Sequence, residues 1–246
     1  MKIFNHVGFG LGQSKPVLEQ INEKSRYYLT PKGIKYPSIT TVLSADPEKQ
    51  KSLDNWARSI GYDKANRIKV AAAQRGTKLH DLAERLLKNE DISDVVTKHF
   101  GVNLIYKAMW DYFKPLLYNI DNIHCLETGL YSHHLRMAGT VDCIAEYKGR
   151  LCIIDYKTST KLKEKAWIKD YFMQCAAYAI MYEELTGIPV PNIRVLIAIE
   201  GEHPQLFEER RDNWVKGLLE ARDYFEKTNI IHKEPQHGVL DGLYTA

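Results

Sequence analysis

The 246-residue sequence has few cysteines, no long apolar run and little net charge. Its four cysteines stand singly, without the close spacing typical of zinc or iron–sulfur sites, so we expect buried free thiols and no iron–sulfur cluster. The longest apolar run, residues 175–182, is far shorter than the roughly 18 residues of a membrane-spanning helix. The first ten residues resemble neither a signal peptide nor a transit helix. These absences predict an intracellular, cytoplasmic protein without a membrane partner.

The composition is that of a globular protein, with 44% hydrophobic and 26% charged residues, which excludes a disordered or collagen-like chain. The formal net charge of +3 hides an uneven distribution. Residues 1–80 contain 14 basic and 6 acidic residues, and residues 148–170 contain 7 basic and 3 acidic residues. This excess of positive charge favours a polyanionic partner at two places. Solvent-exposed faces explain the same pattern equally well.

The order of periodic segments predicts an α/β fold with a mixed sheet. In the first half we predict strands at residues 26–30 and 34–40, a helix at 47–73, and a second helix that begins near Thr77 after Arg75-Gly76. A third helix is predicted at 102–118, interrupted or kinked near Pro115. In the second half we predict strands at 123–131, 136–147, 151–156 and 193–200, with helices at 164–185 and 213–227. We expect residues 1–120 to form an N-terminal hairpin and helical region. Residues 121–246 form the core, and both parts pack as one integrated domain.

Two aspartates and a lysine form the most informative pattern. If Lys148 and Gly149 form a two-residue hairpin turn, counting back along both strands places Asp142 directly opposite Asp155. Two adjacent carboxylates repel each other unless a cation lies between them, and Lys157 projects from the same strand face as Asp155. This arrangement suits metal-assisted phosphodiester hydrolysis. A structural Asp–Lys–Asp cluster would use the same residues.

Several segments together resemble the PD-(D/E)XK nuclease superfamily, and specifically its RecB-like branch. The matching segments are Arg75-Gly76-Thr77 followed by His80, Gly139-Thr140-Val141-Asp142, Asp155-Tyr156-Lys157-Thr158-Ser159, and Gln174 with Tyr178. Residues 36–43 and 132–142 look like the subgroup of phage-type and mitochondrial genome-maintenance exonucleases. The resemblance implies a restriction-endonuclease-like core, in which helices flank a central mixed β-sheet, plus an N-terminal helical region.

The resemblance also implies a metal centre. Asp142, Asp155 and His80 would bind one or two Mg²⁺ or Mn²⁺ ions, and the backbone carbonyl of Tyr156 would add a ligand. Hard oxygen ligands suit Mg²⁺, and the imidazole makes Mn²⁺ a credible substitute. Lys157 would orient the attacking water.

Further residues acquire expected roles from the same resemblance. Gln174 and Tyr178 would help to place the phosphate, although a tyrosine that fills core space is the alternative for Tyr178. Glu127 would either touch the metal site through water or anchor its strand. Arg75 is also expected to contact DNA. Lys161, Lys163 and Lys165 directly follow the strand of Asp155, where they would meet DNA phosphates; a solvent-exposed helix start is the alternative.

The function implied is that of a metal-dependent deoxyribonuclease that degrades single-stranded DNA or flaps from a free end, in replication, recombination or repair. In a phage protein the compartment would be the host cytoplasm. Two alternatives remain open: a nuclease of the CRISPR-adaptation type without its iron–sulfur cluster, and a non-catalytic DNA-binding accessory protein. A broken metal triad would indicate the accessory protein. Asp142, Asp155 and Lys157 are all present, which favours the enzyme.

Overall fold

The computed structural model describes residues 2–10, 12–23, 25–101 and 103–231, so the end of the predicted core, 232–246, lies outside the described residues. The strands are β1 (Glu19–Asn22), β2 (Arg26–Leu29), β3 (Lys35–Pro37), β4 (Ile120–Ser132), β5 (Met137–Tyr147), β6 (Arg150–Ser159), β7 (Asn192–Ile199) and β8 (Gln205–Arg210). The helices are α1 (Ile39–Leu43), α2 (Pro47–Ile60), α3 (Tyr62–Leu87), α4 (Ser93–Phe100), α5 (Leu104–Leu117), α6 (Lys169–Thr186) and α7 (Asp212–Ile231). A short 3₁₀ helix, Lys165–Trp167, precedes α6.

The strands form two sheets. The first three make a small antiparallel sheet, and the other five make the main sheet in the order β4-β5-β6-β7-β8. Only β6 and β7 pair in parallel within the main sheet, and α6 provides the crossover between them. The predicted α/β class with a mixed sheet flanked by helices is therefore confirmed.

The predicted turn sets the register of β5 and β6. Lys148 and Gly149 both have positive φ, 49° and 74°, as a type I′ hairpin requires. Tyr147 consequently pairs with Arg150, and the same register continues as far as Cys143 and Ile154. The two strands of the candidate site thus have the predicted alignment.

Each face of the main sheet is covered by helices. One hydrophobic cluster contains Leu82 of α3 and Phe113 of α5 together with Ile154 of the sheet, and the opposite cluster contains Phe172 of α6, Leu218 of α7 and Ile153. Residues before and after position 120 therefore share a core. All four cysteines are buried and free, as predicted. None of the described helices is long and apolar enough to cross a bilayer.

The helix boundaries differ from the prediction at two places. We expected a new helix after Gly76, but α3 continues through this residue, and the break lies at Gly61, which has a φ of 87°. A helical glycine costs only about 1 kcal/mol relative to alanine, which the packing of Leu79 and Leu82 on the sheet offsets. At Pro115 we expected an interruption or a kink; α5 is not interrupted there but ends two residues later at Leu117, and the kink stays a prediction.

Helix α6 approaches β5 closely at one point. A Cβ atom built on Gly139 would lie 3.0 Å from the Tyr178 hydroxyl oxygen and 3.1 Å from Cε1 of the same ring. Because the backbone of Gly139 has no unusual φ, space rather than conformation explains the glycine. The Gly-x-x-Asp segment and the Gln-x-x-x-Tyr helix are therefore in direct contact.

This contact predicts that Gly139→Ala destabilises the protein by about 1–3 kcal/mol, because the added methyl overpacks a closed site. Urea unfolding followed by circular dichroism measures the change. Gly76→Ala is the matched control, since a Cβ there meets nothing within 4 Å and alanine favours the helix. The penalty at position 139 should shrink in a Tyr178→Phe background, and an equal penalty in both backgrounds would contradict the proposed contact.

Candidate active site

Three carboxylates form a row across three neighbouring strands. Leu126 pairs with Cys143 and Thr128 with Val141, so Glu127 of β4 lies opposite Asp142 of β5. Cys143 and Ile154 are the last residue pair between β5 and β6, and Asp142 and Asp155 are the next residues along these two strands. We call Glu127, Asp142 and Asp155 the acidic row. No backbone pair joins Glu127 to Asp142 or Asp142 to Asp155, whereas Asp155 pairs with Val195 of β7 on its other side. Glu127 has a positive φ of 40°.

Asp142 replaces the missing backbone pairing with its side chain. Its Oδ2 accepts a hydrogen bond from the Tyr156 N–H at 2.8 Å, and the residue is only 8% exposed. Its Oδ1 lies 3.6 Å from His80 Nδ1. One carboxylate oxygen therefore fixes the strand while the other faces the imidazole.

The hydrogen bonds of His80 determine its tautomer. Nε2 lies 2.9 Å from the carbonyl oxygen of Tyr156, and because a carbonyl only accepts, Nε2 must be the donor. Nδ1 then faces Glu127 Oε1 at 3.4 Å and Asp142 Oδ1. Burial lowers the pKa of this imidazole, but Asp142 and Glu127 outweigh burial and raise it from 6.5 to about 9. The negative charges of Asp142 and Glu127 thus strongly favour a cation at the position of this imidazole.

The side chains of His80, Glu127 and Asp142, which we call the metal group, fit a divalent metal ion. One ligand atom from each lies within 4.8 Å of the other two. Glu127 Oε1 is buried without a hydrogen-bond partner, an arrangement that a cation would satisfy. A histidine whose other nitrogen donates to a backbone carbonyl is the usual metal-binding arrangement. Glu127, whose role the sequence left open, belongs to this group by geometry.

Asp155 lies beside this group and is paired with Lys157. The Lys157 Nζ is 2.6 Å from Oδ1 and 2.5 Å from Oδ2 of Asp155. Burial and the Asp142 charge raise the pKa of Asp155, against the opposing effect of Lys157. Burial lowers the pKa of Lys157, but Asp155 and Asp142 reverse this effect, so its net pKa is raised and the amine stays protonated. The metal-ligand roles expected for Asp155 and the Tyr156 carbonyl stay predictions.

Gln174 and Tyr178 face the same cleft from α6. The Gln174 Nε2 donates to the Tyr178 hydroxyl at 3.3 Å. Burial raises the pKa of Tyr178 well above its usual value, so the phenol keeps its proton. This proton has no acceptor among the described residues and is available to a molecule in the cleft.

The four residues expected to contact DNA lie outside the cleft. Arg75 is 6% exposed and forms an ion pair with Glu200, and a DNA contact for it stays a prediction. Lys165 pairs with Glu209. The side chains of Lys161 and Lys163 form no ion pair among the described residues, and a DNA contact for them stays a prediction.

The cleft has a volume of about 330 Å³ and is bordered by both halves of the chain. The lining residues are Gln20, Arg26, Tyr28, Ser38, Ile39, Thr40, His80, Glu127, Gly139, Thr140, Asp142, Lys157, Gln174 and Tyr178. The motif segments contain seven of these positions, and residues 36–43, which look like the exonuclease subgroup, contain three more. The residues contributed by β1 and β2 belong to no motif, and the signal that could have indicated Arg26 is the positive charge of residues 1–80.

Comparisons with known proteins agree with this geometry. The sequence model of the PD-(D/E)XK nuclease superfamily matches residues 105–229, which is just over half of the chain. "Mitochondrial genome maintenance exonuclease 1" from Homo sapiens is 27% identical over 207 residues, covering 78% of this chain and 58% of the human protein. The protein of that name from Xenopus tropicalis is 42% identical over 214 residues, covering 80% of this chain and 60% of the frog protein.

The chain thus spans about three fifths of the length of these relatives. A crystal structure of a "Putative exonuclease" from Eubacterium rectale has a TM-score of 0.44 and 13% identity, covering 65% of this chain and 66% of that one. The extent of the family match, together with the order of its motifs, shows that the chain belongs to the PD-(D/E)XK nuclease superfamily.

Proposed function

We propose that the chain is a Mg²⁺- or Mn²⁺-dependent exonuclease that degrades single-stranded DNA from a free end. The observation that most supports this proposal is the location of the acidic row beside a cleft, which two of its members, Glu127 and Asp142, line. The chain borders this cleft at Thr40 and again at His80. The names of the curated relatives, which are exonucleases, point the same way.

The segment between Thr40 and His80 contains a region suited to contact a nucleic-acid strand. We call residues 47–74 the helical arm; they comprise α2 and the first half of α3. The arm contains six lysines or arginines and three acidic residues, and Ala57 and Ala65 are its only buried residues. Lys49, near its beginning, is ion-paired with Asp170 of α6. A strand between the arm and the acidic row would have to enter lengthwise, which requires a free end.

The residues around the cleft would have different roles in phosphodiester hydrolysis. His80, Glu127 and Asp142 would hold the ion, with Asp155 beside them, and a bound ion supplies charge neutralisation of the phosphate and a more acidic water. Lys157 stays a cation, so it donates hydrogen bonds to water or to developing negative charge and does not act as a base. Gln174 and Tyr178 offer N–H and O–H donors that position the phosphate.

Binding of Mn²⁺ tests the metal group without requiring turnover. We expect electron paramagnetic resonance titration to show Mn²⁺ binding to the wild type and at least about 10-fold weaker binding to Asp142→Asn and Glu127→Gln, because each loses a ligand charge. Glu90→Gln, at an exposed ion pair, is the matched control. Wild-type affinity in Glu127→Gln would remove Glu127 from the metal group.

Cleavage of DNA tests the activity itself. With Mg²⁺ or Mn²⁺, we expect the wild type to degrade end-labelled linear single-stranded DNA and to leave circular single-stranded DNA intact. Asp155→Asn should reduce the rate by about 100-fold or more, because the lysine loses its partner and the acidic row loses a charge. Asp111→Asn, at an exposed ion pair on α5, should keep the wild-type rate.

Each outcome is decisive for one part of the proposal. Equal degradation by wild type and Asp155→Asn would reject the acidic row as the active site. Cleavage of circular single strands at the linear rate would reject the requirement for a free end. DNA binding without turnover in any metal would favour the non-catalytic accessory protein.

A further inference from the structure

The two walls of the cleft differ in charge. The carboxylates Glu127 and Asp142 line one wall, where they belong to the acidic row. A second wall is formed by the small sheet and α1 and contains no carboxylate; its residues are Gln20, Arg26, Tyr28, Ser38, Ile39 and Thr40. The single charged side chain on this second wall is that of Arg26.

The pleat of β2 directs Arg26 toward the cleft. Tyr28 is 4% exposed, and its hydroxyl lies 3.4 Å from Thr140 Oγ1 of β5, which fixes the inward face of the strand. Arg26 is two residues earlier and so projects from the same face. Its carbonyl accepts hydrogen bonds from the Ser38 N–H at 2.9 Å and the Thr41 hydroxyl at 3.1 Å. The backbone of Arg26 is therefore held in place.

The guanidinium of Arg26 has no partner among the described residues. Its cross-strand neighbour is Asn22, whose amide oxygen already accepts from Gln20 Nε2 at 3.0 Å. The nearby Glu23 is ion-paired with Lys35. By contrast, the other permanently charged cation of the cleft, Lys157, is paired with Asp155. Arg26 thus contributes an uncompensated positive charge to the cleft that Glu127 and Asp142 also line.

We propose that Arg26 is a phosphate-binding residue that positions the substrate strand from the small-sheet wall of the cleft. This inference rests on the proposed function and extends it to a second anchoring point. A guanidinium matches two phosphate oxygens with parallel N–H donors, which fixes both distance and orientation. A strand held at the metal group and at Arg26 has a defined register, whereas one point of contact would leave it free to pivot.

The first experiment measures binding without cleavage. All proteins contain Asp155→Asn, and the affinity for oligo(dT) is measured by fluorescence anisotropy over a range of salt concentrations. Each phosphate contact contributes about 0.7 to the slope of log affinity against log salt on single strands. Arg26→Gln should lower the magnitude of the slope by about this amount, and Arg26→Lys should retain it because the charge remains.

Arg150→Gln is the matched control, because it removes the same charge from an exposed residue at the start of β6, five residues before Asp155. Its slope should equal that of the parent. Equal slopes for Arg26→Gln and Arg150→Gln would overturn the assignment. Thermal unfolding of each variant shows that the comparison is made between folded proteins.

The second experiment measures turnover of single-stranded DNA with Asp155 intact. Arg26→Gln should raise KM by about 10- to 100-fold, the loss expected for a charge-assisted pair of hydrogen bonds, and should change kcat less. Arg26→Lys should have a KM between those of the wild type and Arg26→Gln, because it keeps the charge but replaces the planar guanidinium with a point charge. A kcat effect without a KM effect would overturn a positioning role.

The two experiments separate this inference from the proposed function. If the wild type degrades DNA and Arg26→Gln matches it in KM and in salt slope, the phosphate site is rejected while the exonuclease stands. If no metal supports turnover but the slope still falls in Arg26→Gln, the phosphate site stands and the exonuclease is rejected.

Discussion

The repulsion among three carboxylates is the constraint on which the site depends. Glu127, Asp142 and Asp155 occupy successive strands at one level of the sheet, and the two aspartates are 8% and 1% exposed. Burial raises the pKa of both aspartates. Lys157 and His80 supply the compensating positive charge within the chain. Each of these cations arrives from a different element, so the sheet and α3 must both be in place before the row is balanced.

The register of two hairpin-linked strands determines whether this row exists. Because side chains alternate between the faces of a strand, a slip of one residue would move Asp155 and Lys157 to the opposite face. The turn at Lys148 and Gly149 prevents that slip by adopting positive φ at both positions. Two residues that touch no substrate thus set the geometry of carboxylates several residues away.

The parts of the fold that local rules determine were predictable from the sequence. The turn chemistry gave the correct pairing of β5 with β6, and apolar runs located β7 and α6. The elements missed were short or polar: β1, α1, α4 and β8. Their existence depends on partners distant in sequence, as in the pairing of Gln20 with Tyr28. A strand of four residues has too few positions for alternation to be recognised.

The candidate site was likewise predictable only where local sequence determines it. Motifs identified Asp142, Asp155, Lys157 and His80 because their spacing is local. They could not assign Glu127 to the metal group, since that depends on the interrupted pairing of β4 with β5. The motif that contains Arg75 likewise gave no sign of its ion pair with Glu200, which is distant in sequence.

The first described residues have a consequence for how the chain folds. Phe4 is buried among α3 and α5 and exchanges hydrogen bonds with Asn89, 85 positions away, while Lys2 donates to the Ile120 carbonyl across 118 positions. Closing loops of this length is entropically unfavourable until the surfaces at their far ends exist. We therefore expect residues 2–9 to dock last, onto a sheet already assembled. During synthesis, residues 2–9 would leave the ribosome before the surfaces that they contact, yet they would be among the last of the described residues to reach their native place.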